Sequence, residues 1–114
     1  MVPSKNLALR WIVRSHTPTT EEKEWMGAIV EMGCCVCLRE MDVQSPAEVH
    51  HLHGKTKRGS HLLTIPLCYA HHRSGLTNDR VTSRHPFKNR FENRYGSEQD
   101  LYQWTVHAIG QRNR

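Results

Sequence analysis

Cysteine and histidine fall in three tight groups: Cys34-Cys35-Val36-Cys37, His50-His51, and Cys68-Tyr69-Ala70-His71-His72. Zinc takes thiolate and imidazole in a tetrahedron. The C-x-x-C pair Cys34 and Cys37, with the C-x-x-H pair Cys68 and His71, supplies four such ligands at knuckle spacing. Cys35 is a spare thiol that could stand in for Cys34. Three of the four cysteines lie within four positions, which suits a metal better than two spread-out disulfides. Thiols used this way indicate a reducing compartment.

His71 and His72 are neighbours on a short helical stretch, so they point about 100° apart. They cannot easily serve one tetrahedral ion. If His71 faces the zinc, His72 faces elsewhere, and His50 is the obvious partner for it around a second metal.

These ligands need elements to carry them. Thr19 and Glu22 form a capping box that opens a helix, with Trp25, Ala28, Ile29 and Met32 on its apolar face and Gly33 as its stop. The cysteine knuckle and a polar turn through Pro46 follow. Residues 47–52 read as a strand, 54–59 as a charged glycine-bounded loop, and 62–67 as a second strand whose Pro66 belongs at an edge or a strand end. Residues 69–74 form a short helix ended by Gly75. Residues 86–95 form another, with Phe87, Phe91 and Tyr95 four apart. Ser97 caps a last helix that buries Leu101, Trp104, Ala108 and Ile109. The expected organisation is an arm over 1–18 that packs through Trp11, Ile12 and Val13, one domain over 19–110, and a frayed tail over 111–114.

The chain has 114 residues and a net charge of +5. The charge is local. Residues 54–95 carry nine Lys/Arg against two Asp/Glu, whereas residues 1–53 carry five against seven. A positive field concentrated on one stretch is how a phosphate-facing surface is built. The residues expected on DNA are Lys55, Lys57, Arg58, Arg73, Arg84, Lys88, Arg90 and Arg94, with Arg58 and Arg73 nearest the metal ligands. Phosphate contacts position without reading bases, so little sequence preference is expected. The basic N-terminal stretch is interrupted by Arg10 before it reaches signal-peptide length, and no run approaches a membrane span. A cytoplasmic protein is expected.

The stretches GCCVC, EVHHLHG and SHLLTIPLCYAHH, together with RFENRYGSEQDL, resemble the HNH nucleases. Within them they most resemble the phage-encoded Ref-type, RecA-dependent nucleases, over roughly residues 25–104. The resemblance implies an α+β fold: a small ββα-metal (HNH, or His-Me finger) core with zinc knuckles and flanking helices. It implies a metal-dependent DNA endonuclease in a bacterial host cell, with structural zinc, catalytic Mg2+ or Mn2+, DNA as substrate and a RecA filament as partner. His50 and His72 would bind the catalytic ion and His51 would be the general base, leaving 5′-phosphate and 3′-hydroxyl ends. The middle asparagine of the HNH pattern is absent. His61, expected at the start of the second strand, takes its place, either binding metal or orienting the loop that holds His51. His85 either completes the metal shell or is structural. His16, His53 and His107 read as ordinary histidines. A non-catalytic zinc module that binds DNA would need the knuckles and the basic face, but would have no use for His50-His51 or His72.

Overall fold

The computed structural model describes residues 17–112. Helix α1, Thr20–Met32, opens on the expected capping box. The Glu22 N–H donates to Thr19 Oγ1 at 3.1 Å, and the Thr19 N–H donates to Glu22 Oε1 at 2.8 Å. Ile29 and Met32 are buried and pack with Ile109, Trp104 and Ala108 of the last helix. Gly33 ends α1 with φ +100°. A Cβ there would lie 2.9 Å from the Ser45 carbonyl oxygen, so both backbone angle and space call for glycine.

The expected turn after Gly33 is instead a second helix, α2, Cys35–Met41. Its apolar face is too short to show periodicity in the sequence. Cys35, Val36 and Cys37 nonetheless turn into the main core, which also holds Ile65, Leu67, Phe91, Tyr95 and Leu101. One helical turn after Cys34 brings Cys37 back to the same side, which is the geometry a C-x-x-C ligand pair requires. Asp42, with φ 56°, closes α2 in the left-handed conformation.

Strands β1, Glu48–His51, and β2, Thr64–Leu67, pair antiparallel, with His50 opposite Ile65 and His51 opposite Thr64. A sheet of two strands leaves each an open edge, which accommodates Pro66 without a lost ladder bond. The second strand is shorter than expected. Residues Ser60–Leu62 form a 3-10 turn, so His61 precedes the strand rather than starting it. The Trp25 indole N–H donates to Thr64 Oγ1 at 3.0 Å and ties α1 to β2.

Helix α3 is a single turn, Tyr69–His72, two residues shorter than expected. Helix α4, Lys88–Tyr95, buries Phe91 and Tyr95, while Phe87 sits half-buried at its entry. Helix α5, Glu98–Arg112, is capped by Ser97, whose Oγ accepts from the Asp100 N–H at 3.0 Å. Leu101, Thr105 and Ile109 form its buried stripe. Thr105 is affordable there because its hydroxyl donates to the Leu101 carbonyl at 2.8 Å. The helix continues through Gln111 and Arg112, where fraying was expected. Trp11, Ile12, Val13 and His16 lie outside the described residues. The fold is α+β, a β-hairpin followed by a short helix, with helices around it. No helix among the described residues is long and apolar enough to cross a membrane.

Replacing Gly33 by alanine should destabilise the protein by about 1–3 kcal/mol, from backbone strain and the Ser45 clash. Urea denaturation checks this; an unchanged midpoint would show that the α1–α2 junction can relax.

Candidate active site

The end of α1, the first turn of α2, the end of β2 and helix α3 converge on Cys34, Cys37, Cys68 and His71, whose ligand atoms lie within 4.8 Å of one another. Cys37 Sγ is 3.9 Å from Cys68 Sγ and 3.6 Å from His71 Nδ1. Cys34 and Cys68 Sγ lie 3.8 and 3.2 Å from the same nitrogen. A zinc tetrahedron with Zn–S of about 2.3 Å and Zn–N of about 2.0–2.1 Å has edges of roughly 3.8 and 3.6 Å. The cluster therefore has the size and donor set of a zinc site. A Cys34 hydrogen bond to Cys68, followed by burial, drives the Cys34 thiol pKa up, and the same bond drives that of Cys68 down, to about 3. Protons held on crowded sulfurs are what a dication would replace. Cys35 is not in the cluster. It is fully buried beside Thr105, and burial pushes its thiol up to about 12.

A second group stands one residue further along α3. His50, His72 and His85 also hold their ligand atoms within 4.8 Å. Their ring centroids form a nearly equilateral triangle with sides of 5.1, 5.2 and 5.2 Å. His50 comes from β1 and His72 from α3. His85 comes from the following loop, where its N–H donates to the His72 carbonyl at 2.9 Å. Each of the first two rings rests on a carboxylate. His72 Nδ1 is 2.8 Å from Glu48 Oε1, and His50 Nε2 is 2.5 Å from Glu98 Oε2. Each carboxylate is in turn held by an arginine. Arg73 binds Glu48 through two bonds, at 2.9 and 2.7 Å, and Arg84 Nε reaches Glu98 at 2.6 Å. Hydrogen bonds from Arg73 and His72 bring Glu48 down to about 2. Burial works to raise Glu98, yet its bonds to His50 and Arg84 outweigh it and bring it down to about 2 as well. Burial lowers the pKa of His72 and His85. The set is thus three imidazoles, two of them backed by ionised carboxylates.

His51 follows His50 on β1, and strand alternation turns it away from the triangle while it still borders the same cleft. It pairs with His61, at 2.9 Å from Nε2 to Nδ1, one nitrogen donating and the other accepting. His61 thus meets His51 and is not among the clustered metal-ligand candidates. Burial, then electrostatic interaction with His61 and Lys55, holds the His51 imidazole down to about 4. It is a neutral base at pH 7. His50, His51, His72 and His85 line one open cleft of about 370 Å3 with Val49, Gly54, Lys55 and Arg73.

The basic residues divide into two sets. Lys55, Lys57, Arg58, Lys88 and Arg90 are exposed, and Lys55 borders the cleft. Arg58 lies instead in a second hollow with Thr17, Thr19, Glu22 and Gly59. Arg84 is committed to Glu98 and Arg73 to Glu48. Arg94 is exposed, but its guanidinium binds the carbonyls of Asn78 and Asp79 and so straps down that loop. Glu48, Glu98 and the pairing role of Arg84 were not read from the sequence. Glu48 had a signal, because it shares a strand face with His50 two residues on. Glu98 had none, since it lies 48 residues from His50.

The α+β domain thus carries two separate groups that could hold a metal ion, a Cys3His cluster and a triad of imidazoles, with different ligand chemistry. A family model described as "Recombination enhancement, RecA-dependent nuclease" matches residues 18–109, and the chain belongs to that family. A nuclease connected with recombination follows from that membership.

Two outcomes are expected from this geometry. Native mass spectrometry should find one zinc per chain, lost in Cys34→Ser and kept in Cys35→Ala; the reverse pattern would reassign the knuckle. Stability should also fall as pH drops below 6.5, the ordinary imidazole value, towards the value of about 4 held by His51. In that window the unfolded chain binds protons that folded His51, His72 and His85 resist. Glu48 and Glu98 add a further loss at lower pH, as it falls from the ordinary carboxylate value towards 2. A urea midpoint that stays flat between pH 7 and 4 would contradict these shifts.

Proposed function

We propose that the protein is a metal-dependent DNA endonuclease of the HNH type, with a structural zinc on Cys34, Cys37, Cys68 and His71 and one catalytic divalent ion on His50, His72 and His85. The observation that carries this reading is the imidazole triangle sharing a cleft with a separate, neutral His51. An ion bound there supplies Lewis-acid stabilisation of the scissile phosphate and the leaving oxygen. Three imidazoles suit Mn2+ or a later transition metal better than Mg2+, which prefers an oxygen shell.

His51 is the general base in this scheme. With its Nε2–H donating to His61 Nδ1, the His51 Nδ1 lone pair is left for a proton from water attacking phosphorus. His61 then does what the missing asparagine would do, orienting the base rather than binding the ion. Lys55, Lys57 and Arg58 are the basic residues nearest in sequence to β1, and Lys55 borders the cleft itself. They supply non-specific phosphate contacts, with Lys88 and Arg90 of α4 extending the basic surface. Arg73, Arg84 and Arg94 serve mainly to position other groups, because their guanidinium groups are already engaged. The RecA filament is the proposed partner, presenting single-stranded or displaced-loop DNA to the cleft.

The test is nicking of plasmid and displaced-loop DNA with Mn2+, with and without a RecA filament. His51→Ala should lower the rate by about 10²–10⁴-fold while leaving zinc content and DNA retardation unchanged. A parent protein that retards DNA but cuts it under no condition would leave a non-catalytic zinc module. Cutting that survives His51→Ala would remove the base.

A further inference from the structure

We propose that Glu98 is a positioning residue for the imidazole triad, holding His50 as the tautomer with its proton on Nε2 and its lone pair on Nδ1. The proposal rests on the reading of His50, His72 and His85 as a metal site.

Glu98 begins α5 and is only 5% exposed. Its Oε2 sits 2.5 Å from His50 Nε2 and 2.6 Å from Arg84 Nε. An ionised carboxylate can only accept, so the His50 nitrogen facing it carries the proton. The other ring nitrogen then has the lone pair an ion needs. The same carboxylate fixes Arg84, whose backbone N–H donates to the His71 carbonyl at 2.8 Å and whose chain neighbour is His85. One side chain thus sets two of the three rings: His50 directly and His85 through the adjoining backbone.

The placement of Glu98 is not explained by stability. A buried ion pair repays its desolvation only in part, and an apolar replacement is often neutral or better. Glu98 is nonetheless well prepared for its charge. It lies at a helix start, where backbone N–H groups favour an anion. Its own N–H is engaged by Glu92 Oε2 at 2.8 Å, which locks the first turn of α5. The equivalent support for His72, from Glu48 and Arg73, is different in kind. The side chain of Glu48 is 34% exposed against 7% for that of Glu98, so water can substitute for it.

The test uses the full-length, zinc-loaded chain. Long-range 1H–15N spectra report the His50 tautomer, and Mn2+ binding is followed by the electron paramagnetic resonance of the free ion. The parent should show a single Nε2–H tautomer at His50. Glu98→Gln, which keeps size and shape, should yield mixed tautomers and bind Mn2+ about 10–100-fold more weakly, with one zinc retained. Glu98→Ala should show the same or a larger loss. If Glu98→Ala fails to fold, Glu98→Gln and the parent tautomer decide the matter. A parent His50 protonated on Nδ1 would overturn the proposal, as would Mn2+ affinity within about twofold of the parent in Glu98→Gln. A parent that takes up no Mn2+ beyond its zinc sinks the triad reading instead, with the tautomer still reporting on Glu98.

Discussion

Two adjacent residues on a one-turn helix, His71 and His72, belong one to each of the two candidate metal-ligand clusters. The helical rotation of about 100° per residue sends one ring to the sulfur cluster and the other to the imidazole triangle. The peptide that joins them is held from outside. Arg84 and His85 donate their backbone N–H groups to the carbonyls of His71 and His72, at 2.8 and 2.9 Å. The third ring of the triangle is therefore registered on the same short helix as the fourth ligand of the sulfur cluster. Any shift in α3 moves both clusters together.

That helix has little stability of its own. Four residues are too few to hold a helix in water. It is fixed by the cluster at its start and by the segment laid against it. The apolar core around it is small, and four of its nine buried members are cysteine or tyrosine side chains. Zinc binding in comparable small knuckles amounts to about 10–16 kcal/mol, as large as the whole stability of a typical small domain. Zinc on these thiolates would therefore add a contribution comparable to the net stability of a small domain to what keeps the triangle in shape. The two clusters are in this sense one arrangement, split between a sulfur-rich and an all-imidazole ligand set.

The basic character of residues 54–95 has a similar double meaning. Counting charges marks a phosphate-binding stretch. Three of the arginines in it are nonetheless engaged by Glu48, Glu98 and the 78–79 carbonyls. Their positive charge still contributes to the field over the cleft, but their hydrogen-bonding capacity is committed to holding the site together. Of the others, Lys55, Lys57 and Arg58 are exposed on the hairpin loop, Arg80 in the loop before α4, and Lys88 and Arg90 on α4. Guanidinium suits the holding task because its fork can grip a carboxylate in a fixed plane, whereas lysine ammonium is better left mobile in water.

Local rules acting within a few residues were legible in the sequence. The capping box at Thr19 and Glu22, the Gly33 stop, the Ser97 cap, the Phe91–Tyr95 face and the ligand spacings all depend on neighbours one helical turn away. The separation of His71 from His72 follows from the same arithmetic. Helix α2 was hidden because seven residues facing a core show too little period, and the 3-10 turn at His61 because tertiary packing, not propensity, ends β2. Contacts across long separations belonged to the fold alone. It chose Cys34 over Cys35 as the fourth cluster member, paired His61 with His51, and brought Glu98 to His50 across 48 residues. Composition records that a carboxylate exists, but only the folded chain decides which imidazole it meets.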